Sequence, residues 1–200
     1  MTLLYTVPTA NGQRASIALE ECGIDYEVRM VDLGAGEHRS EEMLGRNPFG
    51  RMPLLEKDDG SYVYGSMAIG LHAAGKSGRL LPAEAERDAF HHWLGVIMTD
   101  LAPAFAWQFY LAVLAPEKFD WGLAFNGDVI RRYLAAIDVH LAAGEYFLPG
   151  GYSLLDVLFY PAAMSAARMD GGLEPWPAVE RWAGTVGDRE AVRRGMAVSS

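Results

Sequence analysis

Residues 47–65 read NPFGRMPLLEKDDGSYVYG. Two short β-prone runs, PLLE (53–56) and SYVY (61–64), flank KDDG (57–60), a turn signal because Asp-Gly supplies left-handed backbone at little cost. The segment predicts a β-hairpin, with a helix starting at Ser66 behind it. Working upstream, EEMLGR (41–46) reads as a short helix, YEVRMVDL (26–33) as a strand, GQRASIALEECG (12–23) as an amphipathic helix and TLLYTV (2–7) as a strand. The order is therefore β-α-β-α-β-β-α. It closes at KSGRLLPAEAE (76–86), where Gly, Pro and acids read as a linker.

Downstream, apolar residues recur at helical spacing through ERDAFHHWLGVIMTDLAPAFAWQFYLAVL (86–114), DVIRRYLAAIDVHLAAG (128–144), LLDVLFYPAAMSAARM (154–169) and PAVERWAGTV (177–186). No strand is expected there. Pro103 and Pro161 should kink or interrupt their helices, since each removes a backbone donor and crowds the preceding turn. In YSLLDV (152–157), Ser153 and Asp156 have the spacing of a capping box with a short-armed acid. The expected division is an α/β domain over 1–79 and an all-helical domain over 84–200.

Half of the 200 residues are apolar and 22% are charged, enough for a sizeable packed core. The 26 acids against 17 bases, a net charge of −9, argue against nucleic acid as a partner. Cys22 is the only cysteine, so neither a disulfide framework nor a C-x-x-C redox pair is present. With no cationic start before an apolar core and no apolar run judged long enough to span a bilayer, the reading is a soluble, cytoplasmic chain without a membrane partner. The histidines at 38, 72, 91, 92 and 140 show no metal-ligand spacing, and no metal is expected.

One motif is a decoy. GLHAAGKS (70–77) satisfies G-x-x-x-x-G-K-[ST], but a phosphate loop needs a strand before it and a helix directly behind the Lys. Here the helix comes first and GRLLP follows, so Gly75 and Gly78 are placed to end a helix.

The order of elements and four local stretches resemble the glutathione transferase superfamily over essentially the whole chain. NPFGRMPLLE resembles its N-P-x-G-x-V-P-x-L motif, and YSLLDV its capping box before the central helix of the C-terminal domain. YTVPTANGQRASIALEECGIDYE (5–27) and VDLGAGEHRSEEMLGRNP (31–48) are similar, more narrowly, to nu-class bacterial transferases and their fungal nitrogen-regulator relatives. Those carry T-P-N-G-x-K-x-x-I-x-L-E-E, where this chain has Ala10 for the Pro and Arg14 for the Lys.

The resemblance implies the glutathione transferase fold: a thioredoxin-like α/β N-terminal domain plus an all-α C-terminal domain, in a symmetric homodimer. It implies glutathione as cofactor, with Met52 ahead of a cis Pro53 pairing its backbone with the cysteinyl unit and Ser66 meeting the γ-glutamyl carboxylate. Thr9 and Asn11 are the implied thiol-facing catalytic residues; their local reading is a turn and a helix cap. Tyr5, inside the strand, reads as core. His38 is implied near the glycyl carboxylate, against a solvated loop histidine, and Arg132 at the thiol end, against a solvated helix face beside Arg131. Gly65 stands where the family has Glu, so a carboxylate for the tripeptide's amino group is missing, a loss that would weaken affinity by ~10- to 100-fold.

The implied activity is attack of the glutathione thiolate on a hydrophobic electrophile or a disulfide. Met98, Phe105, Trp107, Phe109 and Tyr110 are expected to line the co-substrate site between the halves, or to be core or dimer interface. The alternative is a non-catalytic binding module with a weakened cofactor site, for which Gly65 is the evidence.

Overall fold

The computed structural model describes residues 1–198. In chain order the elements are β1 (Leu3–Thr6), α1 (Ala10–Cys22), β2 (Glu27–Met30), α2 (Glu41–Arg46), β3 (Leu54–Glu56), β4 (Tyr62–Tyr64) and α3 (Ser66–Ser77). Then follow α4 (Arg87–Gly95), α5 (Ala102–Phe109), α6 (Asp120–Leu141), α7 (Leu154–Ala166), α8 (Pro177–Gly187) and α9 (Glu190–Ala197). Two compact units form, residues 1–81 with those from 186 on, and residues 82–185. The thioredoxin-like α/β part and the helical remainder are as expected.

In the first unit the strands pair in the order β2-β1-β3-β4. β1 runs parallel to β2, which forces the α1 crossover, and antiparallel to β3, which the β3–β4 hairpin completes. Alternation along β1 puts Leu4 on one face with Ala15 and Leu19 of α1 and Ile69 and Ala73 of α3. Tyr5 goes to the other face, with Val31, Met43 of α2 and Leu54.

The structure starts α1 at Ala10 rather than Gly12. Thr9 is extended and accepts from the Gly12 N–H, so the cap falls at Thr9 and Ala10 occupies the first helical position, where Pro is favoured in general. The phosphate-loop look-alike lies inside α3, whose end is closed by Gly78 at φ +71°.

α9 packs on α1 so closely that a Cβ on Gly195 would lie 2.5 Å from Ile17 Cα, and Ser16 Oγ donates to the Gly195 carbonyl at 2.6 Å. Arg189 forks onto Glu21 through Nε (2.7 Å) and Nη2 (2.9 Å), and Arg194 Nε meets Glu20 at 2.7 Å. The last helix thus belongs to the α/β unit rather than to the helical one.

In the second unit Glu84–Leu114 is one helical stretch, widened to π turns at Val96–Leu101 and Tyr110–Leu114. The first wide turn directly precedes Pro103, whose missing donor and ring would break an α ladder. This stretch is, by length and composition alone, apolar enough to cross a membrane, a correction to the expectation of no such run. Pro161 does not interrupt its helix. α7 continues from Leu154 to Ala166, held by its capping box and buried along most of its length.

Phe147, Phe159 and Trp182 form the aromatic centre, with ring centroids 4.9 to 5.9 Å apart. Asp156, 0% exposed, organises it. Oδ2 accepts from the Ser153 N–H at 2.8 Å, while Oδ1 accepts from Trp182 Nε1 at 2.9 Å and from the Phe147 N–H at 3.3 Å.

Asp156→Ala should therefore destabilise by roughly 3 kcal/mol or more, because four buried donors, the Ser153 hydroxyl among them, lose their acceptor, whereas Ser153→Ala should cost about 1 kcal/mol. Urea unfolding measures both. Burial, opposed by those hydrogen bonds, pushes the Asp156 carboxyl above its ordinary range. The native state then holds this proton more tightly than the unfolded chain, so the group's stabilising contribution is full below the unfolded value and is lost as pH rises through the folded one. The native protein's stability relative to Asp156→Asn, which cannot titrate there, should fall as pH rises above about 4.

Candidate active site

Six residues singled out in the sequence are joined at the edge of the first unit. Thr9 Oγ1 accepts from the Gly12 N–H at 3.3 Å. A hydroxyl that accepts keeps its own proton to donate, so capping does not compete with a role toward a ligand. Asn11, exposed in the first turn of α1, turns Oδ1 inward, 2.6 Å from Arg14 Nη1 and 3.3 Å from Ser66 Oγ. Ser66 opens α3 and is buried, so this contact ties the starts of α1 and α3 together.

Met52–Pro53 is a cis peptide. The β1–β3 ladder ends at the Tyr5–Leu54 pair, which leaves the Met52 N–H and C=O beyond it. The Pro53 carbonyl accepts from the Gly65 N–H at 3.0 Å, and the Gly65 carbonyl accepts from the Ile69 N–H at 3.0 Å, linking the proline turn to α3. Neither α1 nor α3 has an acid in its first turn. The unpaired amides of both helix starts therefore keep their partial positive charge.

His38 lies in the short 3-10 turn Glu37–Arg39 of the same unit, and its buried Nδ1 has no hydrogen-bond partner among the described residues. Arg132 is an exposed residue of α6, in the second unit. Arg14 was missed as a site residue. Its guanidinium is 2% exposed, and burial lowers its pKa to about 10. A base three positions after Asn11 on one helix face was the available signal.

Tyr5 is core, as read. Its ring lies 5.5 Å from the Arg29 guanidinium and 5.2 Å from that of Arg46, its hydroxyl donates to Glu56 at 2.9 Å, and burial raises its pKa. Cys22 is buried and its thiol pushed up by desolvation, the opposite of a reactive cysteine.

Two open clefts of about 210 and 340 Å³ lie at the other end of β1, around Thr2, Asp58 and Lys76. Asp58 beside Lys76 gives them an acid that a phosphate would not tolerate. Of the aromatic set on the long helix, Phe105 is half-buried, while Trp107 (58%), Phe109 and Tyr110 are exposed.

A family model described as the N-terminal domain of glutathione S-transferase matches residues 10–74. Glutathione S-transferase 4 of Zea mays is 32% identical over 72% of this chain and 67% of its own length. The chain belongs to the glutathione S-transferase superfamily. The disulfide-bond oxidoreductase YghU of Escherichia coli is 29% identical over 98% of this chain and 74% of its own. The glutathione transferase URE2P6 of Phanerochaete chrysosporium, solved in complex with oxidised glutathione, superposes with a TM-score of 0.91 at 27% identity, covering 98% of this chain and 94% of that one.

In this member of the superfamily the glycine at 65 has a backbone reason. Gly65 sits at φ +90°, ψ 135° as the residue before α3, and a Cβ there would meet nothing within 4 Å. The absence of a side chain follows from the turn, not only from loss of an acid. Gly65→Ala and Gly65→Glu should each destabilise by ~1 kcal/mol or more and by similar amounts, because the cost is conformational and not steric. Thermal unfolding checks this, and a Glu variant as stable as the native chain would contradict it.

Proposed function

We propose that this chain binds glutathione along the starts of α1 and α3 and stabilises its thiolate for attack on a hydrophobic electrophile or a disulfide. The observation that carries the reading is the Asn11–Ser66 contact, which brings together a thiol-facing amide and the open amides of a helix N-terminus. The Nδ2 of Asn11 donates to no atom of the chain among the described residues and is available to a sulfur, with the Thr9 hydroxyl as second donor.

The remaining groups fit the tripeptide's own. The uncapped start of α3 with Ser66 suits the γ-glutamyl carboxylate. The Met52 N–H and C=O suit the cysteinyl peptide, and the unpartnered His38 Nδ1 suits the glycyl carboxylate. A thiol near pKa ~8.5 is mostly protonated at neutral pH, and donors aimed at the sulfur favour the thiolate. The thiolate then forms a thioether with an electrophile, releasing its leaving group. With a disulfide it forms a mixed disulfide and expels the other sulfur as thiolate.

The sulfur chemistry is glutathione's own, because Cys22 is buried and held protonated. Relatives of both kinds, a glutathione S-transferase of Zea mays and the disulfide-bond oxidoreductase YghU, support both outlets. A cytoplasmic homodimer with a detoxifying or disulfide-reducing role completes the proposal. The rival reading, a non-catalytic module, leaned on Gly65, and the positive φ of that residue weakens it.

Calorimetric titration with reduced and oxidised glutathione should show binding at millimolar concentration or below; no binding of either would end the enzyme reading. Asn11→Ala should raise the pH at which bound thiolate appears by ultraviolet difference absorbance, and slow turnover by ~10- to 1000-fold, as for loss of one oxyanion-type donor.

A further inference from the structure

Arg14 has no part in the scheme above, yet its guanidinium is withdrawn almost wholly from water on the second turn of α1. It stays protonated at neutral pH, since burial lowers its pKa only to about 10. A guanidinium carries five N–H donors and no acceptor. An atom 2.6 Å from Nη1 must therefore be an acceptor, and that atom is Asn11 Oδ1. The Ser66 hydroxyl donates to the same oxygen at 3.3 Å.

The two ends of an asparagine amide have nearly the same shape, and only their partners decide which faces inward. Here the partner can only donate, so the oxygen is fixed inward and the NH₂ outward.

The orientation decides the sign of what Asn11 does to a sulfur. With NH₂ outward the amide donates to a thiolate and favours ionisation. With oxygen outward it would repel the anion and accept from S–H, holding the thiol protonated. We propose that Arg14 is the positioning residue of thiol activation: its buried guanidinium locks the Asn11 amide with oxygen inward, so that the NH₂ meets the glutathione sulfur. A charged donor also makes a shorter, stronger bond than a neutral one and polarises the amide it holds. Arg14 acts through Asn11 and does not itself touch the sulfur.

The inference rests on the glutathione reading for its thiol readout, and on the ligand-free chain for its structural one. The variants are Arg14→Met, Arg14→Lys and Asn11→Asp in the full chain. In isotope-labelled, ligand-free protein, the Asn11 side-chain amide should give one well-dispersed resonance pair by nuclear magnetic resonance. Arg14→Met should collapse it to the position of a freely rotating amide, and Arg14→Lys should keep it dispersed.

With glutathione bound, Arg14→Met should raise the thiol titration midpoint by about one pH unit, equivalent to ~10-fold less thiolate near neutrality. kcat should fall in proportion while KM for glutathione changes less than about twofold, and Arg14→Lys should restore most of both. In an Asn11→Ala background, Arg14→Met should add no further shift, because the group it positions is gone.

If Arg14→Met does not fold, Asn11→Asp decides. It keeps an acceptor for Arg14 while presenting an oxygen outward, and should raise the thiol midpoint without lowering Tm. The proposal is overturned if the Asn11 amide stays native-like in Arg14→Met, or if the thiol midpoint is unmoved in Arg14→Met or Asn11→Asp. Failure of the native chain to bind glutathione would sink the functional reading instead, and the amide spectrum would still decide whether Arg14 holds the lock.

Discussion

The close approach of α9 to α1 is the contact on which the candidate site depends. Gly195 lies against the Ile17 backbone where no side chain fits, and the Ser16 hydroxyl reaches across to its carbonyl. On its other sides α1 packs Ala15 and Leu19 against Leu4 and against Ile69 and Ala73 of α3. Glu20 and Glu21 are gripped by Arg194 and Arg189. The Arg189–Glu21 fork has its carboxylate nearly out of water, where the pairing has more value than at the surface. A helix held this way presents the residues of its first turn from a fixed base, and that turn carries Asn11 just after the Thr9 cap.

Fixed donors matter because the site is built from dipoles and amides rather than from side-chain cations in the open. α1 and α3 both begin without an acid of their own, so neither helix start is neutralised internally. Asn11 and Ser66 sit one at each start, joined to one another. The arrangement suits a ligand whose negative charge is spread over two places, a carboxylate at one helix and a developing thiolate at the other. It requires little reorganisation when that charge appears, which is the condition under which hydrogen-bond donors contribute most to a transition state.

Much of the fold was legible because its punctuation is local. The hairpin strands, α2 and the start of α3 follow from the Asp-Gly turn, from Pro and Gly, and from short helical patterning. The Ser153–Asp156 box announced α7. What could not be read depended on partners distant in sequence. Nothing near Gly195 says that Ile17 needs it small, so the last helix reads as part of the helical domain. Arg14 reads only as a replacement for the family's Lys, and only the fold reveals it as buried. Pro161 reads as an interruption because propensity describes an isolated helix, and α7 is capped and packed on most sides. Gly65 reads as a missing acid, since sequence shows which side chain is absent but not the sign of φ.

Each unit contains a buried charged residue, and the comparison separates structure from function. Asp156 is surrounded by donors from its own capping turn, from the Phe147 backbone and from the Trp182 indole, all of them buried. Its influence ends within the core, where burial outweighs those donors and raises its pKa. Arg14 is as deeply placed, but its 2.6 Å hydrogen bond goes to a residue whose other end is exposed. A charge satisfied wholly by buried partners fixes packing. A charge hydrogen-bonded to the inner end of a surface amide extends its polarity to whatever that amide meets. Burying a guanidinium carries a desolvation cost of several kcal/mol, which packing alone would meet more cheaply with an apolar side chain.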